Sequence, residues 1–283
     1  MGRGLCLFYG YDATITGSLI SHNAIHSSFV DGEYPSILGG GGMRIWHASP
    51  TDGSLVITNS TFADNSIEAV SPVRTTYGGA LDSGMTTTIY GSTFSGNSVD
   101  SIGLGGGLAL RRTARIVNAT ISGNHAWLGG GLFAPGNAEI DNSTVAFNTS
   151  DTNIGGLVVG VETTLRSSVI FGNAATYNPD IGLFYSTGVL AGNHNFVGIP
   201  GVAERLSDTL SGDPLLGQLA DNGGPTQTHA LLQGSPARNR GSNPLELDFD
   251  QRGAPFARAS GIATDIGAFE IKESALFADG FDP

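Results

Sequence analysis

The chain has 283 residues and a net charge of −12, with 43 glycines, about twice the ordinary share, and 13% charged residues, about half of it. That composition excludes a coiled coil, which needs charged heptads, and 40% hydrophobic residues exclude a charge-driven disordered chain. Twelve Arg and the single Lys272 form no basic stripe, so nucleic acid is not an expected partner; the lone Cys6 excludes a disulfide framework, and no apolar run is long enough for a transmembrane helix.

The opening run from Met1 to Tyr9 holds one basic residue, and Gly10 and Asp12 interrupt its apolar stretch, so it does not read as a signal peptide. A repeat begins directly after it, and a leader or further repeats are expected to be missing from this chain. The repeat is an apolar residue, Ser three positions on, a second apolar residue at five and Asn at eight. It reads Ile15-Ser18-Ile20-Asn23, Ile57-Ser60-Phe62-Asn65, Ile89-Ser92-Phe94-Asn97, Ile116-Ala119-Ile121-Asn124, Ile140-Ser143-Val145-Asn148 and Leu165-Ser168-Ile170-Asn173. Successive Asn positions lie 42, 32, 27, 24 and 25 residues apart, so the unit is about 24 residues with insertions in the early copies. A Gly pair follows each of the first five Asn in phase, read as Gly41-Gly42-Met43, Gly78-Gly79-Ala80, Gly106-Gly107-Leu108, Gly130-Gly131-Leu132 and Gly155-Gly156-Leu157.

Gly and β-branched residues are poor helix formers, and short apolar runs bounded by Gly, Asn and Ser read as strands and turns. A unit of this length with two or three short strands is one coil of a solenoid whose rungs stack as parallel strands. The apolar columns fill the interior. The Asn column, Asn23, Asn65, Asn97, Asn124, Asn148 and Asn173, is expected to form a structural ladder at a corner. The two apolar columns are five residues apart and of opposite parity, so a bend must lie between them, at Asn142-Ser143 and its equivalents. The expected fold is an all-β, right-handed, single-stranded parallel β-helix of about six rungs over residues 1–195, followed by an irregular C-terminal cap and anchor or sorting segment over 196–283, which loses the repeat and would cover an open solenoid end.

The paired motifs resemble right-handed parallel β-helix proteins of the pectin-lyase-like superfamily, and within it bacterial surface proteins related to polymorphic outer-membrane proteins. Further on, Asp213-Pro214-Leu215-Leu216-Gly217, Asp221-Asn222-Gly223-Gly224-Pro225-Thr226-Gln227-Thr228-His229, Gly234-Ser235-Pro236-Ala237, Asp250-Gln251-Arg252-Gly253 and Asp265-Ile266-Gly267-Ala268-Phe269-Glu270 resemble the choice-of-anchor Q domain that ends many secreted bacterial β-helix proteins. Arg238-Asn239-Arg240-Gly241 departs from the apolar-Asp-small-Gly run of that family. The final Leu276–Asp282 resembles a short tail on exported proteins. The resemblance implies a protein secreted from, or displayed on, a Gram-negative bacterium.

Function has to come from a site. If Met43, Ala80, Leu108, Leu132 and Leu157 point inward, the next residues, Arg44, Leu81, Ala109, Phe133 and Val158, point outward. That column contains no acid, which argues against a lyase or hydrolase, and only Arg44, Arg111 and Arg112 stand as catalytic candidates under that alternative. Leu81, Ala109, Phe133 and Val158 make an apolar strip that is either a partner interface or covered within the chain; the expected outcome is a cover by the loop at 24–42, with Phe29, Tyr34 and Ile37, by the loop at 66–77, with Val70, or by the C-terminal segment. The pairs Arg115–Glu139 and Asp141–Arg166 are expected as solvent-facing ladder pairs. A second alternative, binding of ice or a crystal surface, rests on the outward column Leu19, Thr61, Thr93, Thr120, Thr144 and Val169. His22, His26, His47, His125, His194 and His229 form no carboxylate–histidine cluster, so neither metal nor cofactor is expected. The reading is a non-catalytic monomeric scaffold for adhesion, binding polysaccharide or a surface protein.

Overall fold

The computed structural model describes residues 5–8, 12–27, 38–46, 53–69, 75–100 and 102–272. Three seven-stranded parallel sheets form the walls of a β-helix. Sheet A contains Leu5–Phe8, Met43–Trp46, Leu81–Ser83, Leu108–Leu110, Leu132–Ala134, Leu157–Val159 and Ile181–Leu183. Sheet B contains Ala13–Thr16, Ser54–Thr58, Thr86–Tyr90, Ala114–Val117, Ala138–Asp141, Glu162–Arg166 and Val189–Ala191. Sheet C contains Leu19–Ser21, Thr61–Ala63, Thr93–Ser95, Thr120–Ser122, Thr144–Ala146, Val169–Phe171 and Phe196–Val197. Two smaller sheets complete the coils: sheet D, from Ala24–Ser27 to Thr149–Ser150, and sheet E, made of Leu38–Gly39, Thr75–Tyr77 and Ile102–Leu104.

The seventh rung carries no copy of the Asn motif, which is why the sequence pattern shows six. The expected bend is present as a column of residues at positive φ before each Ser position: Gly17, Asn59, Gly91, Asn118, Asn142 and Ser167. A second such column, His22, Asp64, Gly96, Gly123, Phe147 and Gly172, precedes each Asn. One left-handed residue per corner turns the chain with little strand lost, and Gly or Asn occupies most of these sites because the left-handed region strains other side chains.

The Asn column is a continuous hydrogen-bonded ladder. The Nδ2 of Asn23, Asn65, Asn97, Asn124 and Asn148 each donates to Oδ1 of the next Asn at 2.8–2.9 Å. The backbone N–H of each donates to the same oxygen at 2.9–3.1 Å. The last amide, Asn173, donates instead to Asp180 Oδ1, from Nδ2 at 2.8 Å and from its backbone at 3.2 Å. A carboxylate suits this end because nothing beyond it is needed as an amide acceptor. Its other oxygen takes the Ile199 N–H at 2.7 Å, and burial pushes its pKa up.

The Ser column forms a parallel second ladder: each Oγ accepts the N–H of the preceding rung, as Ser60 does for Ser18, Ser92 for Ser60, Ser143 for Ala119 and Ser168 for Ser143. Asn195 Oδ1 ends it by accepting from Ser168 N. Ala119 interrupts this column. Ala119→Ser is expected to supply an acceptor to Ser92 N and a donor to the Val117 carbonyl, as Ser143 does for the Asp141 carbonyl at 2.8 Å. It should add about 0.5–1.5 kcal/mol of stability, read as a higher denaturant midpoint at unchanged slope.

The interior is one apolar cluster running from Met43 and Leu55 to Leu190 and Val197. Its far end is closed by the short 3-10 turn Gly201–Arg205, with Ala203 and Leu206 joining the core. The remaining chain does not stay at that end. After an antiparallel hairpin of Leu216–Ala220 with Thr228–Leu231, it runs back along the outside of sheet C. The expected cap is therefore both an end plug and a flank.

Candidate functional site

Three long outer faces are available to a ligand, and the structure treats them differently. On sheet C, the Thr column lies under the C-terminal segment. Thr93 Oγ1 donates to the Gln227 carbonyl at 2.6 Å, Thr120 Oγ1 to Gln251 Oε1 at 2.6 Å, and Thr144 Oγ1 accepts from Ala268 N at 3.1 Å. Ser122 Oγ meets His229 Nε2 at 2.8 Å, and Val169 packs with Phe196, Leu231, Ala237 and Ile266. The flat exposed Thr array expected for crystal-surface binding is thus absent: Thr93, Thr120 and Thr144 are buried, and only Leu19 and, in part, Thr61 remain open. Periodicity shows that these residues face outward but not that a non-repeating segment lies over them.

The residues of that segment hold it in place. Arg258 is fully buried and donates to the carbonyls of Gly267 and Asp265 and to Glu270 Oε2 at 2.8, 3.0 and 2.9 Å. Arg252 pairs with Asp250 at 2.6 Å and lies between the rings of Phe256 and Phe269, at 3.9 and 3.8 Å from their centroids. Burial pushes Glu270 up to about 7 against the pull of Arg258.

Sheet A departs from the expected alignment. The pairing places Leu81, not Ala80, opposite Met43 and Leu108. The reason is visible in the turn: Gly40, Gly78, Gly105 and Gly129 share a positive φ of 63–74°, so they form one column, and Ala80 takes the place of the second Gly of the pair. Leu81 is consequently an inward core residue. The outward column is Cys6, Arg44, Asp82, Ala109, Phe133, Val158 and Gly182, and it does contain an acid. Ala109, Phe133 and Val158 are buried as well, so the proposed apolar strip is not an exposed interface. Phe133 and Val158 pack with Leu104, Ile154, Tyr77 and Leu128, and Phe184 meets Phe133 edge-on at 5.1 Å. Among the described residues, the covering groups therefore precede each Gly turn or follow the last sheet A strand, and none of them belongs to the C-terminal segment. Phe29, Tyr34, Ile37 and Val70 lie outside the described residues.

Asp82 is fully buried on this face, with Arg44 Nε at 3.2 Å from Oδ2 and Arg111 Nη2 at 2.9 Å from Oδ1. Arg111 stacks on Trp46 and Tyr77 at 4.0 and 4.5 Å from their centroids. Gly39 lies directly above, and a side chain there would overlap the Asp82 carboxylate. Arg112 is exposed on the adjoining turn. Two of the three basic candidates thus converge on an acid that the one-residue misalignment hid. Burial pushes Asp82 up to about 6, opposed by Arg111 and then Arg44. A folded pKa above the unfolded value adds stability that is complete below about pH 4 and is lost as pH rises through about 6. Wild type should lose on the order of 3 kcal/mol relative to Asp82→Asn across that window, checked by urea midpoints at pH 4, 5, 6 and 7.

Sheet B keeps an open outer face. Thr88, Arg115, Glu139 and Thr164 are aligned rung by rung, and one step earlier in each coil Thr86, Thr113, Asn137 and Glu162 form a second track two residues away. Both tracks point outward because Thr87, Ala114, Ala138 and Thr163 between them are buried. Together they line a groove of about 410 Å³. Arg115 Nε approaches Glu139 Oε2 at only 3.7 Å, an exposed pair. Two residues beyond this groove's first track, Arg166 makes a two-pronged pair with Asp141 at 2.6 and 3.0 Å; Asp141 is buried, not solvent-facing as expected. Among the described residues, no three His, Cys, Asp or Glu side chains gather as metal ligands would. Comparison with protein-family models, with curated proteins and with solved structures finds no match for this chain.

Proposed function

We propose that this β-helix is a non-catalytic, exported scaffold that binds glycan along the open outer face of sheet B. The observation that carries this reading is the make-up of the groove. Its lining offers the hydroxyls of Thr86, Thr88, Thr113 and Thr164, the Asn137 amide, two carboxylates and a guanidinium, with only Ala114 and Ala138 as apolar side chains. Protein partners are held by buried aromatic, Arg and large aliphatic anchors, whereas an extended sugar chain is met by hydrogen-bonding groups at regular intervals. Rungs about 4.8 Å apart provide such intervals on a rigid surface. Export and surface sorting rest on the resemblance of residues 213–270 to the choice-of-anchor Q domain, and the wider kinship on the likeness to pectin-lyase-like surface proteins related to polymorphic outer-membrane proteins.

The test is a polysaccharide panel read for both binding and newly formed unsaturated ends. Binding without cleavage is expected, weakened at least about tenfold when Thr88→Arg and Thr164→Arg together fill the groove. A panel with no binding sinks the reading. The alternative, a polysaccharide lyase or hydrolase, has Asp82 between Arg44 and Arg111 on its side. Cleavage by wild type that disappears in Asp82→Asn would establish it.

A further inference from the structure

We propose that the sheet B groove selects glycans bearing free amines over neutral glycans and polyuronates. This rests on the glycan reading above and concerns the charge of the ligand. The groove contains Glu139, Glu162 and Arg115 as its charged residues. Arg115 is drawn toward Glu139, and among the described residues no cation pairs with Glu162, which is exposed. The two carboxylates lie on adjacent rungs, one on each track, Glu139 opposite Thr164 and Glu162 one step before Thr163. A ligand lying along the tracks passes both. The groove's net charge is negative, and so is the field of the whole chain at −12. A polyuronate brings repeated like charge to this surface and is repelled. An ammonium group on the sugar ring supplies the missing cation to Glu162 and donates hydrogen bonds that a carboxylate accepts at close range. The neighbouring Thr and Asn groups serve the ring hydroxyls in either case, so charge alone separates the candidates.

The experiment measures calorimetric affinity of the full chain for three probes at low salt and pH 6: a β-1,4-linked glucosamine hexamer, the same hexamer fully N-acetylated, and a galacturonate hexamer. The amine hexamer is expected to bind about fivefold tighter than the acetylated one, and the galacturonate hexamer most weakly. The preference should vanish in Glu162→Gln/Glu139→Gln and shrink with added salt, while Glu204→Gln, outside the groove lining, should leave it intact. Equal binding of the amine and acetylated hexamers overturns the charge selection and leaves the glycan reading standing. Preference for galacturonate, or an amine preference that survives in the double variant, also overturns the proposal. Failure of all three hexamers together with the whole polysaccharide panel removes both.

Discussion

Asn124→Leu is expected to lower stability by about 2–5 kcal/mol, a large share of the 5–15 kcal/mol that holds a typical domain. Asn124 is fully buried at the middle of the ladder. Its Oδ1 accepts from the backbone N–H and Nδ2 of Asn97 at 3.0 and 2.9 Å, and its Nδ2 donates to Asn148 Oδ1 and the Phe94 carbonyl. Leu fits the space but removes every one of these partners. Asn97 Nδ2 still reaches the carbonyls of Phe62 and Ser95, whereas its backbone N–H loses its acceptor at that corner. An orphaned buried donor and an under-satisfied carbonyl cost ~1–3 kcal/mol each. Asn124→Asp separates the two halves of the role. A carboxylate still accepts from Asn97 but confronts Asn148 Oδ1 with no donor, so its pKa must rise, and its deficit should shrink as acid protonates it. Urea unfolding of the three proteins at pH 4 and 7 checks this, and an Asn124→Leu loss below about 0.5 kcal/mol would remove the ladder from the account.

Arg258→Met should release the C-terminal segment, at a cost of about 3–5 kcal/mol. The substitution keeps much of the volume but strips the carbonyls of Gly267 and Asp265 of their donor and leaves Glu270 buried beside no cation. With Glu270 already pushed up to about 7, loss of Arg258 drives it further toward the neutral acid, so the deficit should be smaller at pH 5 than at pH 8. Arg258→Met/Glu270→Gln should recover part of the loss, because the stranded charge is gone. Limited proteolysis provides the readout: cleavage between residues 207 and 272 should accelerate while the rungs stay protected, since a solenoid is stabilised rung by rung. Cleavage spread evenly over the chain would show instead that flank and rungs unfold as one unit.

The ladder and the bends were legible in the sequence because each rung repeats the same physical problem. A corner needs one left-handed residue, and the buried amides beyond it need a side-chain partner, so Asn142-Ser143 and Asn148 recur in kind five other times with only Ala119 out of place. The inserted early coils were legible too, as stretched distances between Asn positions. Where the repeat is degenerate, periodicity misplaces a rung: Ala80 in a Gly site shifts the alignment by one residue, which puts Leu81 outside and conceals Asp82. A one-residue slip exchanges the two faces of a strand, so a single substitution was enough.

The sequence by itself determined the parallel β-helix, the inward apolar columns and the Asn ladder, all of which arise from contacts between equivalent positions of neighbouring coils. Only the tertiary structure decided which outer face is free. Sheet C is covered by a segment more than 100 residues later in the chain, as in the bond from Thr120 to Gln251, and Asp82 meets Arg44 and Arg111 from different rungs. Such contacts join chemically unlike segments at no fixed spacing, so periodicity holds no record of them, and the open groove of sheet B emerges as the face that neither cover reaches.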